Sequence, residues 1–466
     1  MNLISTLLIL MRKFYSLIWL IVFNLIFVPL SFAASSSTLS EKVTPYLSDT
    51  DLPARTPPLL ELGADFLGTG NLKPGFEIPT GAVWQPRFWL YGTQRSAIQH
   101  FDNGIGDSST EWMNRLDLFG NLQLTGTERI LIGVTPLHDN AEFTGQIFSP
   151  DSTEGFSNNL NLDIQTLFFE GDLAELFPNW DYSDSKSNDI GFSIGRQEIN
   201  FQDGILIADT LDGIGLSRNN VRFQGVPWLV NLRSTFFFAW GDIHRNDNLE
   251  DRNANLFGLF TQLDTLKSTV DLDVVYVESS SAGGDLLSIS LDSIQRFGKL
   301  NTTFRIAASK ATGRKSAQAD DGILLFTEIS WAPAYTHDNI YLDAFISIDN
   351  FTSPARDPLS GGPLGRTGLL FASPGIGNVS PALNNRTGDS VGLVAGYQKF
   401  FASRRQIVLE VGGRVGDDTE QNDSIGAALR FQQAIGRRVV AGLNAYASDA
   451  DVVGTRYGLR AEILIK

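Results

Sequence analysis

The sequence predicts an all-β fold: an antiparallel transmembrane β-barrel of about eighteen strands, or sixteen, occupying residues 83–466. Three observations predict it. First, apolar and polar residues alternate with a period of two along most of the chain, and successive side chains of a strand point to opposite faces. In Asn114–Leu124, the residues Leu116, Leu118, Leu122 and Leu124 share one parity; Arg115, Asp117, Asn121 and Gln123 share the other. Second, no stretch after the N-terminal segment holds the ~18–20 apolar residues of a spanning helix. Third, mean hydropathy is −0.03 and hydrophobic content 42%, too low for a helical membrane protein. These values suit a wall whose lipid-facing residues alternate with polar ones.

From the N-terminus, Arg12-Lys13, the apolar run Ile18–Leu30 and Ser31-Phe32-Ala33 form a signal peptide over residues 1–33, with Met11 as its expected start and cleavage expected after Ala33. Residues 34–82 lack sustained alternation and carry Pro53, Pro57, Pro58, Pro74 and Pro79, which marks a periplasmic lead-in. Strands are then expected at Val83–Gln99, Trp112–Thr125, Arg129–Leu137, Asn159–Phe169, Ile190–Ile199 and Leu211–Asn219. Six more follow at Leu229–Ile243, Ala254–Leu263, Ser268–Glu278, Leu286–Phe297, Leu300–Lys310 and Gly322–Trp331. The last six are Ile340–Asn350, Ser390–Phe401, Arg405–Arg414, Ser424–Gln433, Arg438–Ser448 and Gly454–Ile465. Many of these runs reach ten residues, whereas strands of soluble folds have a mode of about five or six.

Tight links at Gly298-Lys299, Arg404 and Gly436-Arg437 suit periplasmic turns. Longer polar links at Asp139–Asn158, Asp181–Asp189, Asn246–Asn253, Thr312–Asp321 and Phe351–Asp389 suit extracellular loops. Phe351–Asp389 is the longest, and a loop of that length either folds into the pore or lies on the surface. On the lipid parity we place Leu160, Leu162, Ile164 and Phe168, the set Val230 to Trp240, and Val270 to Tyr276. Trp84, Trp228, Trp240, Trp331, Tyr397 and Tyr457 fall near strand ends, as interfacial girdles require.

The chain has no Cys, which removes disulfides, thiol chemistry and N-terminal lipidation. Its net charge is −16, or −18 once Arg12 and Lys13 are cleaved, so nucleic acid is not an expected partner. Only four histidines are present, at His100, His138, His244 and His337, with no nucleophile elbow, phosphate loop or metal-spaced cluster. No catalytic residue, metal or cofactor is expected. The non-lipid parity instead carries Arg115, Asp117, Arg233, Asp271, Asp273, Arg305, Arg414, Arg430 and Arg460 as pore-lining candidates. Arg414, Arg430 and Arg460 come from strands beside the closing seam and are expected to form a basic ladder; such ladders set pore selectivity.

Gly195-Arg196-Gln197-Glu198, followed by Asp203-Gly204 and Leu211-Asp212-Gly213-Ile214, resembles the alginate-export family of outer-membrane barrels, as does Asn114–Leu118. The resemblance implies passive, porin-like passage of a polysaccharide or small polar solute, with Arg196 in the lumen and Asp203 and Asp212 near it. Many acids on the inner parity depart from a purely anion-selective conduit. The expected partners are outer-membrane lipid, the barrel-assembly machinery and the transported solute. An outer-membrane barrel hydrolase and a secreted soluble carbohydrate-binding β-protein are the alternatives.

Overall fold

The computed structural model describes residues 56–63, 65, 74–180, 189–281, 283–416 and 423–466; the expected signal peptide and cleavage site lie outside them. Eighteen antiparallel strands form one closed sheet. In chain order they are β1 (Arg87–Asp102), β2 (Ser109–Gln123), β3 (Arg129–Val134), β4 (Ile164–Asp172), β5 (Ile190–Phe201) and β6 (Ile207–Val221). Next come β7 (Leu229–Trp240), β8 (Ala254–Thr265), β9 (Ser268–Ser279), β10 (Leu286–Phe297), β11 (Leu300–Ala311) and β12 (Gly322–Trp331). The series ends with β13 (Asn339–Asp349), β14 (Ser390–Ala402), β15 (Arg405–Gly416), β16 (Ser424–Ile435), β17 (Val439–Ala450) and β18 (Gly454–Ile465). Each strand pairs with its chain neighbours, and β18 pairs with β1 from Tyr457↔Asp102 to Ile465↔Gln94, which closes the barrel and leaves no open edge. All eighteen sequence-based strands are present. β7 to β11 and β15 to β18 are each 12 residues long, enough to cross a bilayer at the usual tilt.

The alternation is realised as expected on most staves. Phe236, Leu259, Leu272, Leu291, Ile306, Leu409 and Leu459 are exposed on the outside, while Phe237, Phe260, Asp273, Arg305 and Glu410 of the opposite parity are buried inside. Four local departures have identifiable causes. Val83-Trp84 pairs with Phe76-Glu77 instead of entering the wall; Pro86, which has no N–H to donate, precedes the start of β1. The short strand Leu60–Leu62 covers the β1 edge at Phe88–Leu90, below the end of β18. A register shift between Ile164 and Thr166 inverts the parity of β4, so Phe168 is 8% exposed and faces inward under the Arg129 guanidinium. Leu167, 44% exposed, takes the outer place instead. β3 is only six residues long because the chain leaves the wall at Thr135; Glu142–Ser149 returns to pair with the upper half of β2.

Strict alternation of direction puts the links 124–128, 266–267, 298–299, 403–404 and 436–438 on one rim. The link 173–189 joins β4 to β5 on that same rim, so the expected Asp181–Asp189 loop belongs with the tight turns, although 181–188 are outside the described residues. Asn179 Nδ2 donating to the carbonyl of Thr80, and Arg438 Nη2 donating to that of Pro57, tie the lead-in to the same rim.

Candidate functional site: a lumen narrowed by two inward segments

The tip of the β5–β6 hairpin bends into the barrel. Gly195 makes the bend: its φ is +126°, a conformation that favours glycine, and an added Cβ would lie 2.2 Å from the carbonyl oxygen of Leu167. Beyond it, Phe201 stacks on Phe260 of β8 at 3.4 Å between ring centroids. Gln202 Nε2 donates to Asp273 Oδ2 (2.7 Å), and Arg305 Nε donates to Gln202 Oε1 (2.8 Å). Arg305 Nη2 reaches both Asp203 and Asp292 at 2.9 Å. Gln202 and Asp203 also adopt positive φ, at 55° and 52°, in a tip held by these bonds.

The long link 350–389 fills much of the remaining section. Ala355-Arg356 runs parallel to Ile207-Ala208 of the bent tip, so the two inward segments are hydrogen-bonded to each other across the lumen. Phe351, Leu364, Leu370, Phe371 and Leu383 are wholly buried, forming a core with Phe326, Phe345 and Val394 of the wall. The polar ties run mainly from wall side chains to loop backbone. Arg95 Nη2 donates to the carbonyl of Pro374 (3.2 Å), and both Arg95 and Arg115 donate to that of Gly375 (3.2 Å). Arg456 Nη2 donates to Pro381 O (2.7 Å), and Arg414 donates to the carbonyls of Asn384 and Arg386. In the opposite sense, the amides of Leu369 and Leu370 donate to the Glu410 carboxylate at 2.9 and 2.8 Å. The link is therefore a constriction of the pore and not a surface loop.

Among the expected pore residues, Arg115, Asp117, Arg233, Asp271, Asp273, Arg305, Arg414, Arg430 and Arg460 all stand on the inner parity. Arg115 pairs with Asp117 at 2.9 Å. Arg305 and Arg414 are 2% and 0% exposed, so they clamp inward segments and do not face open lumen. Arg430 bonds Asn444 Oδ1 at 2.9 Å, and Arg460 lies 3.4 Å from Glu462. In register, Arg430, Asn444, Arg460 and Gln99 stand side by side on β16, β17, β18 and β1. Two of the three ladder arginines thus form a row, and Arg414 stands apart from it. Arg196 and Asp212 correct the expectation drawn from the resemblance. They share the outward parity of Ile194 and Ile214, pair with each other at 2.9 Å, and lie at the long-loop end of the wall beside Asp242. The bulge in β4 and the bend at Gly195 put the motif's glycine, and not its arginine, to use in the lumen. Asp203 does reach the lumen, at the hairpin tip.

Sequence reasoning missed Arg95, Glu410, Glu328 and Arg366. The first three sit on the inner parity of expected strands, so the alternation contained them. Arg366 lies in the long link, where no periodicity points to it. Its Nε donates to Glu328 Oε1 at 3.1 Å, and its Nη2 lies 3.9 Å from Asp203.

Charge is unevenly spread around the lumen, with Asp117 and Glu462 paired among the arginines and Arg233 and Arg305 among the acids. Asp271, Asp273, Asp292, Glu328 and Asp343 stand on β9, β10, β12 and β13; Arg430, Arg460, Arg95 and Arg115 stand on β16, β18, β1 and β2. A cavity of about 530 Å³ opens on the acidic side, lined by Asp203, Arg233, Asp271, Asp273, Asp292 and Arg305 among others. A second, of about 240 Å³, lies between the hairpin tip and the long link.

Just after the chain leaves β3, His138 packs face to face with Phe143 at 5.6 Å between centroids, its Nε2 3.8 Å from Asp117. Burial, reinforced by Arg115 and partly opposed by Asp117, pulls its pKa down to about 4. Asp209, His244 and Asp357 bring potential ligand atoms within 4.8 Å of one another, but His244 Nδ1 already bonds Asp209 at 2.9 Å. Burial and hydrogen bonding within that trio account for its geometry.

No family model matches this chain, and no curated protein matches it by sequence. Solved structures do. Acinetobacter baumannii OccAB4 aligns with a TM-score of 0.55 at 10% identity, covering 83% of this chain and 99% of that one. Pseudomonas aeruginosa OccK2 (OpdF) in complex with glucuronate aligns at 0.51 and 12% identity, covering 80% and 97%. Pseudomonas aeruginosa OpdK with vanillate aligns at 0.50 and 13% identity, covering 82% and 98%. At these identities the likeness is one of architecture, and the fold they share with this chain is the closed eighteen-stranded antiparallel barrel.

Proposed function

We propose that this protein is a passive outer-membrane channel for small polar or anionic solutes, with the tight-turn rim in the periplasm and the long-link rim outside. The observation that carries the reading is the lumen. Two inward segments reduce a wide barrel to a charged route, and rings or rows of charge at a constriction are how pores select their solutes. The row of Arg430 and Arg460 suits a carboxylate, since guanidinium groups bind carboxylates through paired hydrogen bonds; Arg95, nearby on β1, is already held by Glu462 and the link carbonyls. Glucuronate and vanillate, the molecules bound by two structural neighbours, are carboxylates of about the size a 530 Å³ cavity admits. A folded polysaccharide chain is a poorer fit to a route interrupted by Arg366, Asp203 and the buried core of the long link, so small solutes are the preferred cargo.

The test is planar-bilayer recording of the refolded mature chain. Discrete conductance steps are expected. A protein that inserts no steps and stays soluble without detergent defeats the reading. Replacing Arg430 and Arg460 together by Ala should shift the reversal potential in a salt gradient toward cation preference; an unchanged potential would reduce both to wall struts.

A further inference from the structure

We propose that the junction between the two cavities selects solutes carrying both a carboxylate and an ammonium group; this rests on the channel reading and specifies its cargo. The two cavities share two lining residues, Asn200 and Asp203 at the hairpin tip. A solute moving from one to the other therefore passes Asp203, and with it Arg366, which reaches across from the long link. The Arg366–Asp203 contact is loose at 3.9 Å, and the two side chains are 49% and 38% exposed. Glu328 holds Arg366 through Nε (3.1 Å) and Arg305 holds Asp203 through Oδ2 (2.9 Å), so the atoms left open to a solute are Arg366 Nη2 and Asp203 Oδ1.

The two sides of the junction have opposite character. The smaller cavity is lined by Arg356 and Arg366 together with Ser360 and Ser373. The larger is lined by four carboxylates, Asp203, Asp271, Asp273 and Asp292, against two cations, Arg233 and Arg305. Arg305 is already committed to Asp203 and Asp292, and Gln202 caps Asp273. Asp271 stands opposite Asp292 in register and, among the described residues, makes no ion pair. A simple anion drawn in by Arg366 would next meet an excess of carboxylates, and like charges at close range repel. A simple cation would be held off by Arg356 and Arg366 before reaching them. A solute with both groups replaces both halves of the loose pair: its carboxylate takes the Arg366 guanidinium from Asp203, and its ammonium takes Asp203 and Asp271.

The experiment uses the intact detergent-solubilised barrel and three probes of matched length: 6-aminohexanoate, hexanoate and hexylammonium. Calorimetric titration gives affinity, and single-channel blockade gives residence time. The zwitterion is expected to bind about tenfold more tightly than either singly charged probe, the worth of one charge-assisted hydrogen bond. Asp271→Asn should bring it down to the level of hexanoate, and Arg366→Gln to that of hexylammonium. Asp271→Glu, which keeps the charge, should retain the preference and controls for misfolding. Equal binding of all three probes, or preferences unmoved by Asp271→Asn and Arg366→Gln, overturns the proposal. Preferential binding without conductance would defeat the channel reading and leave this site standing; conductance without preference would do the reverse.

Discussion

Replacing Glu410 by Leu should release the long link from the wall. The carboxylate is 2% exposed and accepts three hydrogen bonds: from the amides of Leu369 and Leu370, and from the Tyr341 hydroxyl at 2.5 Å. Leucine fills a similar volume but accepts nothing. Stranding a buried donor costs about 1–3 kcal/mol, so the two amides alone give about 2–6 kcal/mol against the docked position. The lower figure already shifts a docked-to-released ratio about 30-fold. Residues 374–386 keep their own ties to Arg95, Arg115, Arg414 and Arg456, so the release should be local to 364–372. In single-channel records the variant should show larger open-current noise and a higher mean conductance. Limited proteolysis of the folded barrel should cut near 364–372 faster than in the parent. Glu410→Gln, which keeps one acceptor oxygen, should lie between the two. A Glu410→Leu channel with parental noise and parental cleavage would refute the assignment of Glu410 as the main anchor of that stretch.

Arg414→Met should also raise current noise, through loss of the bonds to the Asn384 and Arg386 carbonyls, yet leave ion selectivity unchanged because Arg414 does not face the open lumen; a selectivity shift measured by reversal potential would contradict that placement. Gly195→Val combines a positive φ with a Cβ 2.2 Å from a carbonyl oxygen and should lower barrel stability by about 1–3 kcal/mol or more, read as a lower temperature for loss of heat-modifiable gel migration. His138 has a folded pKa of about 4, below its ordinary value, so the folded imidazole stays neutral while the unfolded chain takes up a proton. Its contribution is complete above pH ~6.5 and declines as pH falls toward 4. Amide protection factors in 135–163, corrected for the slower intrinsic exchange at low pH, should fall over that window, and His138→Gln should flatten the dependence; an equal slope in the variant would exclude His138 as its source.

The wall was legible because lipid and water impose opposite demands on adjacent residues, and a two-residue period survives in the sequence wherever both demands hold. Where it failed, one residue had shifted the count. The bulge between Ile164 and Thr166 turned Phe168 inward, and the bend at Gly195 carried the hairpin tip away from the wall while leaving Arg196 outside. The constriction was far less legible. Its anchors are side chains 28 to 280 residues from the backbone they hold, from Arg414 on the Arg386 carbonyl to Arg95 on that of Gly375. No local pattern encodes a contact of that kind. Arg414 and Arg430 share a parity and a polarity, yet Arg414 bonds link carbonyls while Arg430 bonds Asn444 across a small cavity that the link also lines.

The wall grips the long link largely by its peptide groups. Carbonyls at Pro374, Gly375, Pro381, Asn384 and Arg386, and amides at Leu369 and Leu370, exist whatever side chains those positions bear. The polar half of the docking is thus largely indifferent to the side chains at those positions, whereas its apolar half depends on Phe351, Leu364, Leu370, Phe371 and Leu383. Side chains that project from it into the passage, Arg366 foremost, can be exchanged without undocking it. The barrel therefore works as a socket for a backbone and a few apolar plugs, in which cargo preference can be rewritten at the open positions while the mounting stays fixed.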